Sequence, residues 1–256
     1  GRNDQQGNSI AIGTSAGERV QAVKHIAIGY QAGVTGTSED GIAIGTDAGN
    51  SGQRAGAIAI GASGGFSNQG EISIAIGRDS AKRDQSIKCI SIGNKAGENL
   101  QGVPIRGNCI AIGTQSAQND QGQIALQPGA QIGDAAFDQI VQEEPGCIAI
   151  GNRAGIAEQT GLSIAIGTCA GINGQGQGPG PLGEVGSSIA IGTFAGAQGQ
   201  HEGAIAIGIK AGSEKQNENC ISIGNYIVAG ANQTQIIAEN ISIQLIMKKI
   251  HLMFQS

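Results

Sequence analysis

The sequence predicts an all-β fold, a parallel β-solenoid of about thirteen coils with a nominal period of 16 residues. Three observations carry this expectation. A tetrapeptide, Ile-Ala-Ile-Gly or a near variant, returns along nearly the whole chain; glycine supplies 45 of 256 residues; and Trp is absent while Tyr and Phe together number six. Aromatic side chains supply much of the buried area in ordinary cores, so a chain with 2% aromatic residues is held together by another device. Regular stacking of small units is that device.

The tetrapeptide glycine falls at Gly13, Gly29, Gly45, Gly61, Gly77, Gly93, Gly113, Gly151, Gly167, Gly192, Gly208 and Gly224, and a degenerate thirteenth copy, Ile124-Ala125-Leu126-Gln127, fills the long gap after Gly113. Eight of the twelve intervals among these copies are 16 residues. The repeat core consists of the isoleucine pairs Ile10 and Ile12, Ile26 and Ile28, Ile42 and Ile44, Ile58 and Ile60, Ile74 and Ile76, Ile90 and Ile92, Ile110 and Ile112, Ile148 and Ile150, Ile164 and Ile166, Ile189 and Ile191, Ile205 and Ile207, and Ile221 and Ile223. Between each pair sits Ala, or Ser at Ser91 and Ser222, and three residues after the glycine comes a small residue such as Ala16 or Ala32.

Successive side chains of a strand point to opposite faces, so the two isoleucines share one face and the alanine and glycine share the other. Restriction on both faces predicts burial on both. The rest of each unit, such as Thr35-Gly36-Thr37-Ser38-Glu39-Asp40, is polar and turn-forming and reads as a solvent-facing bend. Coils stacked about 4.8 Å apart make a rod on the order of 60 Å long. Two isoleucines per coil are a thin apolar return for ordering sixteen residues, which predicts intimate self-assembly through the Ala/Gly face or the Ile face, as a homotrimer or a filament.

The chain divides into an N-terminal segment, 1–8, the repeat solenoid, 9–228, and a C-terminal cap or interchain contact segment, 229–256. Two insertions are expected to loop out of the solenoid. The first, 128–146, contains Phe137, Ile140 and Val141, which suit a small cluster of its own. The second, 171–188, carries the Gly/Pro-rich stretch from Gly174 to Pro181, which lacks side chains to pack.

Charge and composition exclude several function classes. A net charge of −5 provides no basic footprint for nucleic acid. No apolar run approaches the roughly 18 residues of a membrane span, so membrane insertion is not expected. His25, His201 and His251 lie far apart, with no neighbouring ligands of a metal or catalytic cluster, and no cofactor is expected. Five cysteines form no disulfide framework. Cys89, Cys109, Cys147 and Cys220 share the column four residues before the glycine, a small-residue position, and read as free buried thiols. The Gly178–Gly183 match to a dinucleotide-binding loop carries prolines where backbone donors are needed and is a chance match. Asn232 and Asn240 fit the glycosylation acceptor pattern, which matters only in a secretory pathway.

Ser9-Ile-Ala-Ile-Gly-Thr-Ser-Ala-Gly17, Ser163-Ile-Ala-Ile-Gly-Thr-Cys-Ala-Gly171 and their copies resemble the head repeats of trimeric autotransporter adhesins. The repeat is also similar to segments of phage and large-virus fibre proteins, where a stretch resembling Ala229–Ile243 follows the last coil. The resemblance spans about residues 9–243 and implies a left-handed parallel β-roll, three chains about a common axis, and attachment at a virion, cell or other extracellular surface. Units longer than those of adhesin heads, and the presence of cysteine, favour a viral or other fibre of free-thiol subunits.

The expected function is therefore a non-enzymatic fibre or attachment module, with copies of itself as first partner and a cell-surface receptor or glycan as second. The alternatives are an end-to-end filament subunit, whose uncapped strands template one another, and, remotely, a hexapeptide-type acyltransferase. The latter needs coils of about eighteen residues and an intersubunit histidine, neither of which this period and these histidines suggest. An ice-binding solenoid would need a threonine ladder, and the residues after the repeat glycine are too irregular to make one.

Overall fold

The structure is a computed structural model, and it describes residues 6–19, 21–101, 107–123, 146–160, 162–177, 187–226 and 235–236. Among these the fold is all-β, with no helix, and consists of two parallel sheets wound into a solenoid. The first sheet has thirteen strands. Twelve of them are the Ile-x-Ile segments from Ile10–Ile12 to Ile221–Ile223, and each pairs isoleucine with isoleucine and middle residue with middle residue, as in Ile42 with Ile58 and Ala43 with Ala59. The thirteenth, Gln235–Ile236, pairs with Ser222 and Ile223. The degenerate copy at 124–127 lies outside the described residues, and Ile110–Ile112 pairs directly with Ile148–Ile150, so no strand stands between them.

The polar half of the coil departs from the sequence expectation of a solvent-facing bend. It contains a second sheet of seven strands: Ser67–Gln69, Arg83–Gln85, Asn99–Gln101, Asn119–Gln123, Ala157–Thr160, Asn173–Gln177 and Gln198–His201. Isolated bridges, Thr35 to Ser51, Ser51 to Ser67 and Gln200 to Gln216, continue its line at both ends. Asn173–Gln177 falls inside the expected 171–188 insertion, which is correspondingly shorter. In all three intervals longer than sixteen residues, the residues outside the described set fall in the sequence after a second-sheet strand and before the next Ile-x-Ile strand.

Each corner after Ile-x-Ile is made by the repeat glycine. Its φ lies between +115° and +136° at all twelve positions, a region that only glycine adopts without strain. Gly45 shows why the column is invariant: its N–H donates to Ile28 O at 2.8 Å, and an added Cβ would lie 2.7 Å from the carbonyl oxygen of Gly61 in the next coil. Both conformation and space demand hydrogen at that position.

The interior lies between the two sheets and is lined by small side chains. The middle residues of the Ile-x-Ile strands, such as Ala27, Ala43, Ala59, Ser91 and Ala149, are fully buried, as are the turn alanines Ala32, Ala48, Ala96 and Ala154. The isoleucines are not in it. They point outward, half-buried or exposed, so the inference of burial on both strand faces is corrected for the single chain: the alanine face is covered by the second sheet, and nothing in the chain described covers the isoleucine face.

Gly45→Ala should lower stability by about 2–4 kcal/mol, since it combines a forbidden φ with a clash against backbone. Gly36→Ala, at φ 64° with its nearest neighbouring atom 3.4 Å away, should cost about 1 kcal/mol. Urea unfolding of the two variants checks the ratio.

Candidate functional site

The outward isoleucines stand in two parallel rows. Along a strand the two members of a pair are about 6.7 Å apart, and between coils about 4.8 Å. Exposure rises at the start, with Ile10 at 45% and Ile12 at 58%, and stays near 36% at Ile92, Ile150, Ile191, Ile207 and Ile223. Twelve successive strands thus make one apolar stripe about 10 Å wide and about 50 Å long, a footprint of about 500 Å² without a polar side chain in it. Its rows are continuous because every coil repeats the same register.

What braces this sheet is on its other side and was missed by the sequence reading. Gln21, Gln53, Gln69, Gln85, Gln101, Gln159, Gln175, Gln200 and Gln216 are buried, all but Gln85 completely. Their Nε2 groups donate across the interior to the carbonyl of the first isoleucine of their own coil, as Gln69 does to Ile58 at 2.7 Å and Gln200 to Ile189 at 2.8 Å. The same group reaches the carbonyl that precedes the next Ile-x-Ile strand, as Gln200 does to Ala204 at 2.9 Å and Gln216 to Cys220 at 2.8 Å. Neighbouring amides also pair, Gln85 to Gln101 at 3.0 Å and Gln159 to Gln175 at 3.1 Å. A signal was present: glutamine stands eight residues after the repeat glycine for ten of the eleven glycines from Gly13 to Gly208, with Thr37 the exception.

The second glycine of the repeat belongs to this arrangement. A Cβ at Gly49 would meet Gln53 Oε1 and Ala43 Cβ, and one at Gly171 would lie 2.6 Å from Gln175 Oε1. Glycine there, at φ near +51°, makes the room through which each glutamine crosses.

All five cysteines are free and buried, as expected. Cys89, Cys109 and Cys147 stack in one column, and their thiols donate to backbone carbonyls, Cys89 to Gln101 O and Cys147 to Gln159 O, both at 3.8 Å. Hydrogen bonding to Cys109 and burial push the Cys89 thiol well above its ordinary pKa. This thiol is therefore protonated and a poor nucleophile. His25 is fully buried and its pKa is lowered by desolvation, partly opposed by a hydrogen bond to Gln53; His201 is half-buried in the second sheet. Among the described residues no group of three or more His, Cys, Asp or Glu is arranged to hold a metal, and no helix is long and apolar enough to cross a membrane.

His251, Asn232, Asn240, the Gly178–Gly183 segment, the Phe137 cluster and the apolar C-terminal stretch lie outside the described residues. The ion pairs, Lys24–Asp40, Lys82–Asp79 and Lys95–Glu98, are at the surface and contribute little. The feature that repeats through the described coils is an ordered apolar surface, the isoleucine stripe.

Gln200→Leu keeps the volume but removes four buried hydrogen bonds, those of the amide to Ile189 O, Ala204 O and Gln216 Oε1 and that from Gln175 Nε2, and it should cost about 2–4 kcal/mol in urea unfolding. Exposed Arg54→Ala, at a residue without positive φ, should cost under about 0.5 kcal/mol. Comparison with known proteins returns no matching family model, no matching curated protein and no matching solved structure.

Proposed function

We propose that the chain is a non-enzymatic structural module of a fibre or surface appendage, which associates with copies of itself through the isoleucine stripe and offers its turns and insertions to an external receptor or glycan. The observation that carries this reading is the stripe. Its footprint of about 500 Å² is at the upper range of the largest apolar patch on typical monomers, and its length is continuous. At about 25 cal/mol per Å², covering it is worth on the order of 12 kcal/mol per chain before the entropy of association.

Parallel, in-register association suits a surface whose rows repeat every coil, because any two copies offer each other the same spacing along the whole rod. A homotrimer about a common axis, as in the adhesin heads and fibres that the repeats resemble, buries three stripes at once. The virion, the cell surface or another extracellular structure is the setting in which such a rod serves attachment.

A second reading has its own observation. Among the described residues Ile10–Ile12 pairs on one side only, with Ile26–Ile28, and end-to-end pairing between subunits at such an edge would make a filament.

Light scattering coupled to size exclusion at micromolar concentration should give a discrete multimer for the native chain. Paired substitutions Ile44→Asp and Ile60→Asp, on the outward face of adjacent strands, should convert it to monomer while the β signature in circular dichroism persists. A monomeric native chain would sink the proposal. Long filaments in negative stain that survive these two substitutions would favour the end-to-end reading.

A further inference from the structure

The glutamine column is interrupted once, at Thr37, and a histidine fills the gap. His25 occupies the position before Ile26 where other coils carry Ser, Ala, Gly or Cys, and its ring extends through the interior to the third coil. Two glycines make space for it. A Cβ at Gly41 would lie 2.7 Å from His25 Cδ2, and one at Gly33 would lie 2.9 Å from Cε1. Thr37, too short to cross the interior, accepts a hydrogen bond from Ala22 N at 3.3 Å.

The hydrogen bonds decide which form of the ring fits. Gln53 directs its Nε2 to Ile42 O at 2.8 Å and to Ala57 O at 2.9 Å, which uses both amide hydrogens. Its Oε1, 3.0 Å from His25 Nε2, is left as an acceptor, so Nε2 carries the proton. The bare Nδ1 lies 3.3 Å from Gln21 Nε2, a donor group whose two hydrogens are shared among Nδ1, Ile10 O and His25 O. A second proton on the ring would set donor against donor. Turning the Gln21 amide over would accept that proton but would lose the hydrogen bonds of its Nε2 to Ile10 O and His25 O and set an amide oxygen against both carbonyls.

The residues set against the ring, Gln21, Gly33, Gly41 and Gln53, include no titratable group that would compensate a charge. Lys24 and Asp40, at the adjoining positions, pair with each other at 3.8 Å on the outside of the coil.

We propose that His25 is an acid-sensitive latch on the N-terminal end of the solenoid: neutral, it ties the first coil to the third across the gap at Thr37, and protonated, it opens these three coils. The sign follows from linkage. Burial holds the folded-state value below the usual 6.5, so the latch stabilises above pH 6.5 and weakens as pH falls below it. Local opening of the first three coils should become up to about tenfold more favourable per pH unit in that range. Opening these coils removes the first three strands from the isoleucine stripe and leaves Ile58–Ile60 as the new edge strand.

Hydrogen exchange by mass spectrometry between pH 7.5 and pH 5, corrected for intrinsic rates, tests this on the intact chain. Peptides covering 21–53 should lose protection selectively at the lower pH, while peptides covering 205–223 keep theirs. His25→Ser combined with Thr37→Gln restores the column as it stands in other coils and should abolish the selective loss. Equal pH dependence in native and double-variant chains, or equal loss at both ends of the native chain, overturns the proposal. Should the double variant not fold, imidazole nitrogen chemical shifts of the native chain give the answer. A neutral, Nε2-protonated His25 at pH 7 that stays neutral in the folded solenoid at pH 5.5 supports the latch, and titration near 6.5 in the folded state overturns it.

Discussion

Each coil turns its first corner on a glycine that stacks directly on the glycine of the next coil, with no room for a Cβ between them. That contact holds successive coils in one register, and the rest of the structure depends on it. Once the corner column is straight, every Ile-x-Ile strand lies over its neighbour position for position, the middle alanines point into the same interior, and the isoleucines align outside. A single residue with a side chain at this corner would displace a whole coil and not one contact.

A solenoid built on alanine is thin, and its interior holds no large apolar side chain among the described residues. Stabilisation has to come mainly from hydrogen bonds made where water is excluded. Two parallel ladders supply part of it, and the glutamine column supplies the cross-bracing by tying the second sheet to carbonyls of the first. Buried amides are costly unless satisfied, so a column of them works only because each reaches fixed backbone acceptors at the same distance in each coil. The same rule explains His25: when glutamine is missing at Thr37, another neutral side chain able to donate to one amide and accept from another takes its place. The aromatic poverty of the chain follows from these dimensions, since a ring fits only where two glycines give way.

The outward isoleucines are the counterpart of that thin interior. β-branched side chains suit the strand, and with the inner face reserved for alanine and glutamine, the larger side chains are left to the outer one. Their ordered exposure is a property of the single chain, and it is the feature from which self-association was proposed.

Much of this was legible in the amino-acid sequence. The period, the parallel stacking, the location of small residues and the burial of the cysteines that share one column follow from the columns alone, because a repeat that restricts both faces of a short strand has few ways to stack. Which of the two restricted faces was inside did not follow, since isoleucine satisfies a buried position and an outward β position equally well at the level of pattern. The answer depended on how far apart the two sheets stand, and that distance is set by alanine on one side and an extended glutamine on the other. The glutamines themselves were visible as a column, but polar residues in a turn-like stretch read as solvated until their partners are known. Only the tertiary structure brings Gln53 to Ile42, Ala57 and His25, residues separated along the chain by 11, 4 and 28 positions, because a hydrogen bond across the interior depends on distance between coils and not on sequence pattern.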